Sequence, residues 1–220
     1  MKFFVDTASL KEINEARSLG ILDGVTTNPS LISKESVSSQ KEIHDHYMSI
    51  CSLLRNEEDV SAEVISTDYI EMIQEGEKLS LIHPRIVVKI PMTHDGIKAI
   101  KYFSNKKIRT NCTLVFSTGQ AILAAKVGAT YVSPFIGRVD DVSYDGLYLI
   151  REIKNIYNNY HFGTKILAAS IRHPLHIIEC SKIGIYAVTS PMKVIYSLLN
   201  HPLTNIGLEK FLTDYKKKIN

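Results

Sequence analysis

The sequence predicts a single-domain (β/α)8 barrel spanning residues 1–220, with an appended helix at 204–217. Three observations carry this. Short apolar, β-branched runs alternate with helical stretches eight times along 220 residues, the spacing of parallel βαβ units. Seven of those runs end on a polar residue, and a closed barrel collects its chemistry at the C-terminal ends of its strands. No GxGxxG occurs, so a dinucleotide-binding open sheet, the alternative for a chain slightly shorter than a typical barrel, has no fingerprint.

The first strand is 3–6. A helix follows at 9–19, with Ser9 as cap and Glu12 three residues later, the pattern of a capping box. The second strand, 24–28, stops at Asn28-Pro29. Residues 41–54 are helical. The third strand is 60–65 and its helix 68–81. The fourth strand, 86–90, leads to a helix at 93–103 capped by Thr93. The fifth strand, 110–116, is followed by an Ala-rich helix at 117–126 that ends at Gly128. The sixth strand is 130–135, with a helix at 147–157. The seventh strand is 165–169, with a helix at 174–182. The eighth is 186–189, with a helix at 191–199. Leu208, Phe211, Leu212 and Tyr215 then recur on one helical face. That face docks either on its own barrel or on a neighbouring subunit.

Composition narrows the function classes. The chain is 45% hydrophobic and 22% charged with a net charge of +3, as expected of one soluble domain. Its basic run, Lys216-Lys217-Lys218, sits at the end and reads as a solvated tail, so neither nucleic acid nor a membrane is implied. Cys51, Cys112 and Cys180 are far apart and odd in number, which fits buried thiols in a reduced compartment. No run reaches membrane-spanning length. Asp6 comes too early for a signal peptide. A cytoplasmic enzyme is the expectation. No metal site is expected: His44 and His46, two apart on a helix, diverge, and His83, His173 and His201 precede prolines as turn residues.

Lys89 is the most informative residue. It stands in Arg85-Ile86-Val87-Val88-Lys89-Ile90-Pro91-Met92, where burial would disfavour the ammonium form and free the amine as a nucleophile toward carbonyls. Its alternative is a strand-end lysine with its head in water. Asp6, Asn28, Glu63, Thr113, Ser133 and Ser170 occupy the ends of other strands. Side chains two apart on a strand share a face, so Lys89 pairs with Val87, Thr113 with Asn111 and Asn28 with Thr26. Each polar residue has a plainer reading: Asp6 as a capping carboxylate, Glu63 at a strand edge, Asn28 as a turn residue.

Several ordered segments together resemble the transaldolase family: Val25-Thr26-Thr27-Asn28-Pro29-Ser30, Phe4-Val5-Asp6-Thr7, Val87-Val88-Lys89-Ile90-Pro91, Ser133-Pro134-Phe135-Ile136-Gly137-Arg138 and Ala168-Ala169-Ser170-Ile171-Arg172. The similarity runs from Phe3 to beyond Pro191. The short length is similar to the small subfamily that includes fructose 6-phosphate aldolases. The resemblance implies a barrel enzyme of the pentose phosphate pathway that needs no cofactor. Lys89 would form an imine with a ketose phosphate, and Asp6 would move protons at the C4 hydroxyl. Glu63 and Thr113 would hold a proton-shuttling water. Thr27, Asn28, Asn111, Ser133 and Phe135 would line the dihydroxyacetone site. Arg138, Arg172 and Ser170 would grip the phosphate. The partners implied are sugar phosphates and further copies of the chain, as a pentamer or decamer in which the last helix packs on a neighbour. Glu63, Phe135 and Arg172 resemble the transaldolases, where the aldolases carry glutamine, tyrosine and lysine. A sugar-phosphate binding protein without turnover remains a separate reading.

Overall fold

The computed structural model describes residues 1–55 and 57–219. Eight parallel strands close a barrel: β1 (Lys2–Asp6), β2 (Gly24–Thr26), β3 (Asp59–Glu63), β4 (Ile86–Pro91), β5 (Thr110–Val115), β6 (Tyr131–Pro134), β7 (Lys165–Ala168) and β8 (Ala187–Ser190). Each strand pairs with its sequence neighbour, and β8 closes on β1 through Phe4 beside Thr189. The helices are α1 (Leu10–Ser18), α2 (Pro29–Ile32), α3 (Gln40–Ser52), α4 (Tyr69–Ile82), α5 (His94–Asn105), α6 (Thr118–Lys126), α7 (Ile136–Asp140), α8 (Gly146–Asn159), α9 (Pro174–Ile183), α10 (Met192–Ser197) and α11 (Pro202–Ile219). The predicted fold class is the observed one.

The core has two parts. Outward-facing strand residues such as Val5, Val25, Val88, Ile90 and Val132 pack against the helices. Inside the barrel Phe4, Val87, Tyr131, Leu167 and Ala187 form a closed apolar floor, one of the side-chain layers that fill such barrels. Gly24 completes it: a Cβ there would collide with the Phe4 ring. The floor decides where chemistry can lie. Because side chains alternate, the next inward positions are Asp6, Lys89, Ser133, Ala169 and Thr189, two residues further along β1, β4, β6, β8 or the end of β7. The polar layer therefore stands on the apolar one.

Several boundaries differ from expectation, each through a hydrogen bond that the local sequence hides. Thr93 Oγ1 accepts the Gly96 amide at 2.9 Å and caps α5 as predicted. Ser9 stands before α1 without a side-chain cap, and its own amide donates to Thr7 Oγ1 at 3.1 Å. The capping box belongs instead to Ser39 and Glu42 at α3. β2 stops at Thr26 because Asn28 Oδ1 accepts the Leu31 amide at 2.9 Å and starts α2, a helix absent from the sequence reading. Asn28 follows the strand end in an extended conformation, φ −154° and ψ 166°, as the cap of α2. β3 stops at Glu63 because the Glu75 carboxylate takes the amides of Ile65 and Ser66 at 3.0 Å. The second unforeseen helix is α7, directly after the Ser133-Pro134-Phe135 segment.

α11 is longer than predicted and does not rest on the barrel. Leu203, Leu208, Phe211, Leu212 and Tyr215 are all exposed, Phe211 by 71%. Among the described residues no helix is long and apolar enough to cross a membrane.

Candidate active site at the C-terminal mouth of the barrel

Lys89 is 6% exposed. Its neighbours in register are Glu63 on β3 and Asn111 on β5. Nζ lies 2.9 Å from Glu63 Oε2 and donates to the Thr27 carbonyl at 2.9 Å. A buried ammonium is tolerated only when so satisfied. The water-facing alternative for this lysine is therefore set aside. Nucleophilic attack requires that a proton leave Nζ, and two carboxyl groups are near enough to matter. One is Glu63. The other is Asp6, whose carboxyl burial holds above the usual range, against the opposing pull of the Lys89 charge and the Thr26 hydroxyl. Thr26 Oγ1 donates to Asp6 Oδ1 at 2.8 Å and meets Thr189 Oγ1 at 2.6 Å.

On the other side of Lys89 a polar chain crosses three strands. Ser133 Oγ donates to Asn111 Oδ1 at 2.9 Å, and Asn111 Nδ2 donates to Ser61 Oγ at 3.1 Å. All three side chains are buried, and the chain fixes which way the Asn111 amide faces. Thr113 follows at the end of β5, where the pairing with β6 shifts register and Leu114 adopts φ 58°. Bulges and left-handed non-glycine residues cluster at functional sites, where they re-aim a side chain. Thr113 Oγ1 is buried without a hydrogen-bond partner among the described residues. A hydroxyl left so is costly unless a water or ligand meets it.

The rim carries the cations. Arg138 on α7 is exposed and its guanidinium lies 5.0 Å from the centre of the Phe135 ring. Phe135 in turn packs edge-on against Phe116. Arg172 is exposed beyond β7 and pairs with Asp141 Oδ2 at 2.7 Å. Ser170 before it has φ 58°. Gly137 permits the approach of these two segments: a Cβ would lie 2.5 Å from the Ser170 carbonyl oxygen and would strike Arg172 Cγ.

The structure thus gathers Asp6, Glu63, Lys89, Asn111, Thr113 and Ser133 in or above one interior layer, with Phe135, Arg138, Ser170 and Arg172 at the rim beside it. Thr27 contributes differently. Its hydroxyl faces Tyr47 of α3 at 2.9 Å and the Ser61 carbonyl, so its carbonyl is what meets Lys89. Asn28 spends Oδ1 on its cap, which leaves Nδ2 as the group it can offer. Sequence reasoning put Thr26 on one face with Asn28 but gave it no role, and it missed Ser61 and Thr189. Each is a small hydroxyl residue, and its signal was its place, two residues beyond or before an identified inward position.

A cavity of about 600 Å³ lies at the opposite mouth, lined by Lys2, Asp59, Arg109, Tyr131, Lys165 and Tyr186 among others. Asp59 is clamped there by Arg109 at 2.6 Å and by the Tyr131 hydroxyl at 2.8 Å. No residue of the Lys89 cluster reaches it. At the N-terminal face of a barrel such a brace reads as stability. Among the described residues no group of three or more His, Cys, Asp or Glu is placed to hold a metal ion.

Fold and site together describe a barrel protein with a buried, carboxylate-paired lysine at its C-terminal mouth. The family model for transaldolase/fructose-6-phosphate aldolase matches residues 3–219. Proteins named "Probable transaldolase" from Cytophaga hutchinsonii and Phocaeicola vulgatus are 63% and 61% identical over 217 residues, 99% of each chain. One from Porphyromonas gingivalis is 56% identical over 99% of this chain and 98% of its own. The chain belongs to the transaldolase/fructose-6-phosphate aldolase family and is an enzyme of that family. Among solved structures, a thiamine phosphate pyrophosphorylase from Pyrococcus furiosus superposes with a TM-score of 0.60 at 15% identity, covering 86% of this chain and 85% of its own. That likeness speaks for the barrel alone.

Proposed function

We propose that this chain is a class I transaldolase, passing a dihydroxyacetone unit from sedoheptulose 7-phosphate or fructose 6-phosphate to glyceraldehyde 3-phosphate or erythrose 4-phosphate. The observation that carries the reading is Lys89, buried and held at 2.9 Å by both Glu63 and the Thr27 carbonyl, beneath the unpartnered Thr113 hydroxyl. Lys89 gives up a proton and attacks the ketose C2 to form a carbinolamine. A water between Glu63 and Thr113 carries protons while that hydroxyl departs as water and leaves a protonated imine. Asp6 removes the C4 hydroxyl proton, the C3–C4 bond breaks, and its electrons pass into the imine as an enamine. The shortened aldose phosphate leaves. The acceptor aldehyde then reverses these steps, and water hydrolyses the new imine. Burial raises the Asp6 carboxyl above its ordinary value, the direction that favours a group which must take and then return a proton.

Asn28 Nδ2, Asn111 and Ser133 hold the hydroxyls of the three-carbon unit, and Arg138, Arg172 and Ser170 take the terminal phosphate. Chemistry through an imine uses no metal or organic cofactor. The chain works in the cytoplasm, in the pentose phosphate pathway. Incubation of fructose 6-phosphate with erythrose 4-phosphate tests the reading. The expected products are sedoheptulose 7-phosphate and glyceraldehyde 3-phosphate, with little free dihydroxyacetone. Free dihydroxyacetone as the main product would assign the lyase instead.

Transfer over release rests on Glu63 and Phe135. A carboxylate at the amine and an apolar ring above the three-carbon unit keep water from protonating the enamine. The double substitution Glu63→Gln with Phe135→Tyr is expected to raise the share of released dihydroxyacetone by about tenfold, the scale of one hydrogen bond. An unchanged product ratio would reject this account of selectivity.

The uncovered α11 belongs to the same proposal. Its apolar residues cover nothing on their own barrel, and contiguous exposed apolar surface marks an association face. A pentamer or a decamer, with each α11 seated on a neighbouring copy, accounts for it. Deleting residues 205–220 is then expected to reduce the particle mass in sedimentation. An undiminished mass would contradict the assignment.

A further inference from the structure

Arg138 and Arg172 stand on separate segments, α7 and the stretch after β7, yet a phosphate held by both requires the two to keep a fixed separation. Their backbones meet where the Ile136 and Gly137 amides donate to the Ala169 and Ser170 carbonyls at 3.0 and 2.9 Å, and one buried side chain ties the two segments further along. His176 on α9 is 3% exposed. Its Nδ1 accepts the backbone amide of Arg172 at 3.3 Å, and its Nε2 lies 3.0 Å from Asp140 Oδ2 at the end of α7. The Asp140 Oδ1 accepts the Gly146 amide at 2.9 Å, which ties the same carboxylate to the start of α8. The Arg172 guanidinium reaches Asp141, the next residue, at 2.7 Å. Since a backbone amide can only donate, Nδ1 must be bare and the ring proton must sit on Nε2, pointing at the carboxylate.

We propose that His176, as the neutral Nε2–H tautomer, is a positioning residue that braces α7 against the Arg172 segment and so sets the spacing of the two phosphate-gripping arginines. The inference rests on the functional reading above for the ligand, a phosphorylated polyol or sugar, and on geometry for the brace. The ring is faced by His173, whose centroid is 3.8 Å away, by Asp140 and by Arg172. Burial, followed by the His173 ring, holds the His176 imidazole below its ordinary value, with Asp140 opposing and Arg172 reinforcing. The neutral form is therefore favoured at neutral pH. The sign follows: the brace is complete above the ordinary histidine range and is lost as pH falls through the lowered value. A proton on Nδ1 would then face the Arg172 N–H and push the segment away.

Sorbitol 6-phosphate tests this without imine chemistry, since it has no carbonyl. The wild-type enzyme is expected to bind it in calorimetry. His176→Ala is expected to weaken binding by about tenfold to a hundredfold, the scale of a grip displaced by about an ångström. Asp140→Asn, which preserves the shape, is expected to weaken it in the same direction. His176→Asn keeps an acceptor for the Arg172 amide but cannot be protonated, so relative to wild type it should lose the extra weakening on acidification; taking the difference at each pH removes the phosphate's own titration. Nitrogen-15 NMR of the wild-type enzyme at pH 8 is expected to show His176 Nδ1 unprotonated. Affinities like wild type in both His176→Ala and Asp140→Asn would overturn the proposal. So would a protonated Nδ1 at pH 8, or a wild-type enzyme that does not bind the polyol phosphate. Binding that behaves as expected in an enzyme that transfers nothing would leave the brace standing and the transaldolase reading refuted.

Discussion

Lys89→Met is expected to lower transfer on the order of 10⁴-fold or more, the scale seen when a nucleophile that works with its partners is removed. Methionine fills similar volume without the amine. The substitution also removes the positive partner of a largely buried carboxylate: Glu63 is 14% exposed in its side chain and 2.9 Å from Nζ. Leaving one member of a buried pair is costly, so Glu63 is expected to rotate toward the mouth. Binding of the sugar phosphate should survive, because Arg138 and Arg172 lie at the rim rather than in the interior layer. Steady-state rates with fructose 6-phosphate and erythrose 4-phosphate, read beside calorimetry, separate the cases. Loss of turnover with binding retained matches an enzyme that uses an imine. Retained turnover would remove Lys89 from the chemistry.

The second large effect concerns the phosphate. Replacing Arg138 and Arg172 together by alanine is expected to raise KM for fructose 6-phosphate by about 10²- to 10³-fold, since hydrogen bonds to charged groups contribute about 1.5–3 kcal/mol each. The two losses should not add simply, because both side chains would hold one group. Lysine at 172 should restore only part, for a point charge does not reproduce the planar fork. The variant also frees Asp141, whose partner is Arg172, and this adds a negative charge where the phosphate arrives. KM for unphosphorylated fructose, measured in parallel, should change far less. Equal changes for both sugars would show that the arginines act on something other than the phosphate.

Much of the barrel was legible because burial imposes period two on strands and a wider period on helices. The inward run Val87–Lys89 could be read from a single segment, and it led to the interior layer once Phe4, Tyr131, Leu167 and Ala187 were seen to share a floor. What stayed hidden depends on hydrogen bonds between segments remote in sequence. Thr26 reads as an ordinary strand residue, yet its hydroxyl supports Asp6 across β1 and Thr189 across β8. Ser61 has no motif, and its role comes from Asn111, fifty residues away. Asn28 was singled out for a ligand, and its Oδ1 is also the cap of α2, which leaves Nδ2 for that ligand; Asn-Pro alone does not show this division. His176 was not singled out at all. A lone histidine in a helix announces nothing until Asp140 and Arg172 are brought to its two nitrogens. The register shift beside Thr113 is likewise a property of pairing between β5 and β6, not of the residues at that point.

Borohydride trapping with fructose 6-phosphate, followed by peptide mass spectrometry, tests the central claim most directly. Reduction of an imine converts it to a stable secondary amine on the lysine that formed it. The account predicts a sugar-derived adduct, the three-carbon or the hexose unit, on the peptide containing Lys89, present only with substrate and absent from Lys89→Met. No adduct on Lys89 under conditions where the sugar phosphate is bound would contradict it, and the roles given to Asp6, Glu63 and Thr113 would fall with it.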